Sequence, residues 1–196
     1  MSQSLVGQTL KGRYEIFKKI GEGGFGDTYL AYDRDLPRQP KVVVKHLVPK
    51  ALAPKEFPLA ERLFKQEAEL LYTLGQQHDQ IPSLYADIQE KGEFYLVQEF
   101  IEGHDLTYEI PPGKKLGEEE TLELLDEILS VLSFVHENGV IHRDIKPQNI
   151  MRREADGKLF LIDFGAVKEI NVMTTDGTGQ TSLTIGIGTK GYMPME

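Results

Sequence analysis

Cysteine is absent from all 196 residues, which excludes a disulfide framework and any thiolate metal site and fits a reducing compartment, so a cytoplasmic location is expected. Positive charge is in short supply: 22 lysines and arginines face 31 aspartates and glutamates, a formal net charge of -9. Such a balance gives no broad attraction to nucleic acid or anionic lipid, although it leaves room for a local basic patch. Residues 1–13 lack an apolar run of signal-peptide length, and no segment reaches the roughly 20 apolar residues of a membrane helix. No internal repeat is found. What is present is an ordinary globular composition, 40% hydrophobic, long enough for one large domain or two small lobes.

Periodicity and glycine punctuation set out the elements. Strands are expected at Tyr14 to Ile20, Asp27 to Tyr32 and Lys41 to Leu47, an antiparallel meander whose first turn is Gly21-Glu22-Gly23-Gly24-Phe25-Gly26. Apolar residues at 59, 63, 70, 71 and 74 form one stripe of a helix from Leu59 to Leu74. Two further strands, Ile81 to Ile88 and Glu93 to Ile101, join at Glu90-Lys91-Gly92. A short helix over Leu106 to Ile110 stops at Pro111-Pro112-Gly113. The longest helix runs from Glu118 to Glu137: Glu118, Glu119 and Glu120 suit the positive end of its dipole, and Asn138-Gly139 stops it. Its apolar residues cover more than one face, so it expects neighbours on several sides. Strands at Ile150 to Arg153 and Leu159 to Asp163 follow. From Glu169 to Gly188 the chain turns polar and rich in threonine and glycine, the composition of a long mobile loop.

Chemistry concentrates at His142-Arg143-Asp144-Ile145-Lys146-Pro147-Gln148-Asn149 and at Asp163-Phe164-Gly165. Asp144, on a rigid turn, is the candidate general base, a role worth about 10² to 10⁴ in rate. Lys146 can offset charge on a transferred phosphoryl group, and Asn149 with Asp163 supplies hard oxygen ligands of the kind magnesium takes beside phosphate oxygens. His142 and Arg143 read as structural, the first packing and the second neutralising a nearby anion. Each of these residues alone is equally at home as a solvated loop group; the whole set in this order is not. Upstream, glycines at 21, 23 and 26 let backbone amides approach phosphates, yet glycine-rich hairpins also occur for purely structural reasons. Their place between two strands, rather than at a helix start, argues against a dinucleotide-binding fold. Lys45 interrupts an apolar strand and Glu67 an apolar helical stripe. Glu67 alone reads as a boundary residue whose head reaches water, but buried charges need partners, and the two are expected to meet. A lysine held in this way stays cationic, ready for phosphate oxygens.

In this combination the chain resembles the eukaryotic-like (Hanks-type) protein serine/threonine kinases from about Tyr14 to Glu196. Leu96 to Gly103 and Gly188 to Pro194 are similar in wording to bacterial, especially cyanobacterial, members. The resemblance implies an α+β, bilobal protein-kinase-like fold. It comprises an N-terminal extension over 1–13, an antiparallel five-stranded N-lobe with one main helix over 14–101, and a partial, mostly helical C-lobe over 102–196. It also implies ATP and Mg2+ as cofactors and protein substrates with serine or threonine acceptors, with no nucleic-acid partner. Lys146, two places after Asp144, is the form similar to serine/threonine rather than tyrosine kinases. By the same match Gly21, Gly23 and Gly26 cover the ATP phosphates, Lys45 holds the α- and β-phosphates, and Glu67 is its helix partner. Asp144 is the catalytic base, and Asn149 and Asp163 are the magnesium ligands. Glu99 and Ile101 bind adenine through their backbone groups, Ile20, Thr28 and Val43 shape the pocket above it, Met151 lies beneath the ring, and Gln98 guards a back pocket. Leu71, Leu84, His142 and Phe164 resemble the internal column of the active form. Arg143 resembles the type controlled by activation-loop phosphorylation, for which Thr181, Ser182 and Thr184 are candidates, whereas Thr189 is a structural hydroxyl.

The departures from the family pattern are Thr28 for the usual valine, Val43 for the usual alanine and Pro194-Met195-Glu196 for the usual Ala-Pro-Glu. Complete kinases continue through further helices, so the sequence is expected to be a catalytic domain truncated after the activation segment, with an apolar patch on the helix at 118–137 and weak or no activity of its own. Two other readings compete. One is an ATP-binding, pseudokinase-like scaffold, against which stand Lys45, Glu67, Asp144, Asn149 and Asp163 together. The other is a small-molecule kinase of the antibiotic phosphotransferase type, against which stands Asp163-Phe164-Gly165 followed by a hydroxyl-rich loop.

Overall fold

The computed structural model describes residues 4–22, 26–47, 57–90, 92–164 and 168–169, without the side chains at 57, 59, 60, 168 and 169. The chain forms two compact units, Met1–Ile101 and Glu102–Glu196. In the first, β1 (Thr9–Leu10), β2 (Tyr14–Glu22), β3 (Gly26–Asp33), β4 (Lys41–Leu47), α1 (Phe57–Gly75), β5 (Leu84–Glu90) and β6 (Glu93–Glu99) follow in chain order. The strands pair antiparallel in the order β1-β2-β3-β4-β6-β5. Strand alternation is plain in β4, where Val42 and Val44 are fully buried on one face while Val43 and Lys45 are half-buried on the other.

The sheet has six strands where five were expected, and the extra strand comes from the segment ahead of Tyr14. Leu5 and Leu10 bury themselves against Tyr14, Ile16 and Tyr29, on the sheet face that also carries Val42 and Val44. The Gly7 N–H donates to Ile16 O at 2.8 Å, and the Ile16 N–H donates to Gln8 O at 2.9 Å. A strand of two residues is too short to show alternation, which is why the pattern did not reveal it.

Asp33 fastens the turn between β1 and β2 to the end of β3. Both of its oxygens accept from the Arg13 fork, each at 2.7 Å, and Oδ1 also accepts from the Asp35 N–H at 3.2 Å. The Arg13 guanidinium holds the carboxyl below the usual aspartate range, and the Asp35 amide adds to the effect against the cost of burial. A depressed pKa contributes stability that is present above the unfolded value of about 3.8 and lost as pH falls below it. Asp33→Asn is therefore expected to cost about 2 kcal/mol at pH 7 in urea unfolding, with the gap to the parent closing as pH drops below that value. A gap independent of pH would refute the charge-assisted contribution.

The second unit contains β7 (Gly103–Asp105), α2 (Leu106–Glu109), α3 (Glu118–Glu137), β8 (Val140–Ile141), a 3-10 turn (Pro147–Asn149), β9 (Ile150–Arg153), β10 (Leu159–Leu161) and β11 (Lys168–Glu169). These strands form a β10-β9-β7 sheet and a β11-β8 pair, all of them short, and α3 is the longest element of the unit, as a partial, mostly helical lobe requires. The bounds of α3 follow from its ends. The Glu120 carboxylate accepts the Gly117 N–H at 2.9 Å, and Gly139, at φ +73°, donates its N–H to His136 O at 2.9 Å. Ile128, Val131 and Val135 are buried, whereas Leu122, Leu125 and Leu129 are 59%, 43% and 55% exposed. Those three leucines recur at i, i+3 and i+7, a second apolar stripe on the same helix. Among the described residues no helix is long and apolar enough to cross a membrane.

Candidate active site

The loop between β8 and β9 is held from within. The Asp144 N–H donates to His142 Nδ1 at 3.3 Å, so Nε2 carries the ring proton and donates to Ile162 O at 3.1 Å. The His142 ring meets Phe164 edge-on, with centroids 4.9 Å apart, and both side chains are buried. His142 thus acts as a brace between the loop and the strand end at Ile162, as its structural reading requires. Arg143 and Asp163 stand at φ +67° and +66°, a region that non-glycine residues occupy only when the surroundings fix them there.

Asp144 Oδ2 accepts from Lys146 Nζ at 2.6 Å and from Asn149 Nδ2 at 2.9 Å. Asn149 Nδ2 also donates to the Asp144 backbone oxygen at 2.9 Å. The carboxylate is therefore oriented by its own loop. Asn149 is buried, and its backbone oxygen accepts the Ile162 N–H at 2.9 Å, extending the β9–β10 ladder in which Ile150 faces Leu161. Asn149 and Asp163 consequently emerge at the same end of the hairpin. Among the described residues no group of three or more His, Cys, Asp or Glu side chains gathers as a metal cage. Magnesium does not need one, because it takes one or two protein oxygens and completes its shell with phosphate oxygens and water. The Asn149 nitrogen is engaged with Asp144, leaving its oxygen as the hard donor, so Asn149 and Asp163 fit such an ion.

Met151, on β9, lines a cavity of about 560 Å³ with Gly103, His104, Asp105, Thr107, Tyr108 and Pro111. No side chain fits at 103, since a Cβ there would lie 1.9 Å from Arg152 O. Behind the cavity, Glu109 Oε1 is 2.9 Å from His104 Nε2 and accepts from Arg152 Nε at 2.6 Å, while Oε2 accepts from Arg152 at 3.1 Å. Arg152 first, then His104, holds the Glu109 carboxyl below the usual range. No functional role for His104, Asp105, Thr107 or Tyr108 is readable from composition or periodicity; the signal available is a polar segment directly after a strand.

In the first unit Lys45 Nζ donates to Glu67 Oε1, and both side chains are largely buried. Glu67 reaches it from the inward stripe of α1, beside the buried Leu70, Leu71 and Leu74. The two charges that interrupt apolar patterns do meet. Gly21 pairs with Thr28 and Thr28 with Lys45, a row across three strands, with Val43 on the same side of β4 as Lys45. Ile20 is 45% exposed. Gly26 is dictated by close approach, since a Cβ there would lie 1.9 Å from His46 O. The Glu99 N–H donates to Ser83 O at 2.9 Å, its carboxylate accepts the Ser83 N–H at 3.2 Å, and Ile101 is buried at the end of the unit. Gln98 is buried, and among the described residues its Oε1 has no hydrogen-bond partner. Gly23, Gly165 and the segment 170–196 with Thr181, Ser182, Thr184 and Thr189 lie outside the described residues.

A family model described as protein kinase domain matches residues 14–196. Serine/threonine-protein kinase D of Synechocystis sp. is 46% identical over 185 residues, which cover 94% of this chain and 36% of that protein. Serine/threonine-protein kinase PknA of Nostoc sp. is 44% identical over 189 residues, 96% of this chain and 34% of that protein. Serine/threonine-protein kinase PrkC of Bacillus subtilis is 34% identical over 174 residues, 89% of this chain and 26% of that protein. A solved structure titled PpkA-294 apo form superposes with a TM-score of 0.70 at 29% identity, covering 84% of this chain and 62% of that one. The chain spans about a third of the length of the cyanobacterial relatives it matches.

Proposed function

The chain belongs to the protein kinase domain family, and on that premise we propose that it transfers the γ-phosphoryl group of ATP to serine or threonine hydroxyls of proteins. The observation that carries this reading is the Asp144 carboxylate, oriented by Lys146 and Asn149 within one loop. Asp144 takes the proton of the acceptor hydroxyl as that oxygen bonds to the γ-phosphorus and the bond to the bridging oxygen of ADP breaks. Lys146 then faces the negative charge shared by the moving group and the base. Asn149 and Asp163 would hold magnesium, which supplies charge neutralisation on the phosphate oxygens. Lys45, fixed by Glu67, binds the α- and β-phosphates, and Gly21, Gly23 and Gly26 present backbone amides to them. Glu99 and Ile101 bind adenine through the backbone, and Ile20, Thr28 and Val43 cover it. A cytoplasmic setting follows from the ATP requirement.

The competing scaffold reading keeps nucleotide binding and drops transfer. Incubation with labelled ATP and a generic protein substrate is expected to label serine and threonine weakly, and EDTA is expected to abolish the labelling. Thermal stabilisation by magnesium and ATP without any transfer would favour the scaffold. Neither stabilisation nor transfer would sink the kinase reading for this chain.

A further inference from the structure

Among the described residues of the first unit, Asp27, Asp33 and Glu67 are the buried carboxylates. Asp33 is bonded to Arg13 and Glu67 to Lys45. Asp27 has no part in the machinery above, yet it follows directly on Gly26 and is only 6% exposed. Its Oδ1 lies 2.7 Å from Lys19 Nζ, and its Oδ2 accepts from Tyr29 Oη at 3.0 Å. The same Lys19 ammonium reaches Glu22 Oε2 at 3.1 Å. One cation therefore ties Lys19 and Glu22, which lead into the glycine turn, to Asp27, which leads out of it.

A bulge makes this possible. Lys19 pairs with Tyr29 and Gly21 with Thr28, so Ile20 is an extra residue on β2. Bulges re-aim side chains and sharpen local twist. Across the ladder Asp27 faces His46, whose Nε2 is 2.7 Å from Glu93 Oε2 and whose ring stacks on Tyr95 at 4.6 Å. Burial alone would raise the Asp27 carboxyl, but the Lys19 and Tyr29 bonds outweigh it and leave it below the usual range. Strand alternation puts Asp27 on the sheet face opposite Thr28 and Lys45, so it touches the strand ends and not the row that serves the phosphates.

We propose that Asp27 is a positioning residue for nucleotide phosphates: through Lys19 it fixes the two strands that carry Gly21 and Gly26, and with them the aim of the backbone amides. The inference rests on the kinase reading of the glycine turn. It predicts a larger effect on the phosphates than on the nucleoside, because the tie frames Gly21 and Gly26, whereas the nucleoside is also held by Val43, Glu99 and Ile101, which the tie does not touch.

The test compares binding of magnesium-ATP and of adenosine by the full chain. Asp27→Asn, which keeps the shape and removes the charge, is expected to weaken ATP about tenfold and adenosine less than about twofold. Lys19→Met, at a half-exposed position that does not endanger folding, is expected to do the same, and Lys19→Arg to restore ATP affinity. The double variant should be no worse than either single one, because both act through one bond. Equal losses for ATP and adenosine, no loss for either, or additive losses in the double variant would overturn the proposal. A parent chain that binds neither ligand overturns both this proposal and the kinase reading. A parent that binds ATP without transferring phosphate overturns only the kinase reading, and the Asp27 comparison still decides.

Discussion

Replacing Asp144 by asparagine is expected to lower kcat for phosphoryl transfer about 10³-fold while leaving the affinity for magnesium-ATP within about twofold. The expectation follows from what the substitution preserves. An amide oxygen at the Oδ2 position still accepts from Lys146 and from Asn149 Nδ2, the two donors that orient the parent carboxylate. The His142 Nδ1 bond to the backbone N–H at 144 is untouched, so the loop keeps its brace. What is lost is the capacity to accept a proton, which matters only as the acceptor hydroxyl attacks. A variant that kept most of its activity would show that Asp144 is not the base. A variant that lost ATP affinity and activity together would show that the carboxylate mainly serves to hold the loop.

Asp144 is oriented by its local sequence, and local sequence is what could be read. The residues from His142 to Asn149 lie within one loop, so their spacing already brings Lys146 and Asn149 to Asp144. Lys45 and Glu67 were legible for another reason: each breaks an apolar pattern, and a buried charge without a partner is too costly to be accidental. The ends of α3 were legible because Glu118–Glu120 and Asn138-Gly139 act on the backbone directly. The tie from Lys19 to Asp27 was not, because it depends on a bulge at Ile20 that no residue there announces. β1 was not, because its two residues act through Leu5 and Leu10 packing on a face assembled from distant strands. The cavity at Met151 escaped for the same reason, since β7, which carries Gly103, His104 and Asp105, pairs with β9 across almost 50 residues of chain. Helix α3 was legible in its faces as well as its ends. Apolar residues on several faces call for several neighbours, and the expected apolar patch is there: among the described residues Ile128, Val131 and Val135 are covered while Leu122, Leu125 and Leu129 are exposed.

Lys45→Met is expected to reduce kcat/KM about 10²-fold or more and also to destabilise the chain by about 3 kcal/mol at pH 7. Two effects are combined in that variant and a second substitution separates them. Glu67 is buried and bonded to Lys45 on the inward stripe of α1, so removing the lysine leaves a carboxylate there without its cation. Lys45→Met with Glu67→Leu replaces both charges by apolar groups of similar volume and is expected to recover most of the lost stability, because the burial cost disappears with the ion pair. Activity should not recover, since neither side chain can reach phosphate oxygens with a positive charge. Glu67→Gln is expected to fall between them: its amide still accepts from Lys45 but no longer neutralises it, so transfer drops about tenfold while the strand lysine remains. Chemical denaturation and steady-state transfer on these three variants give both quantities. A double variant as active as the parent would remove Lys45 from the mechanism, and a Lys45→Met chain as stable as the parent would show that the ion pair positions the lysine without contributing to folding.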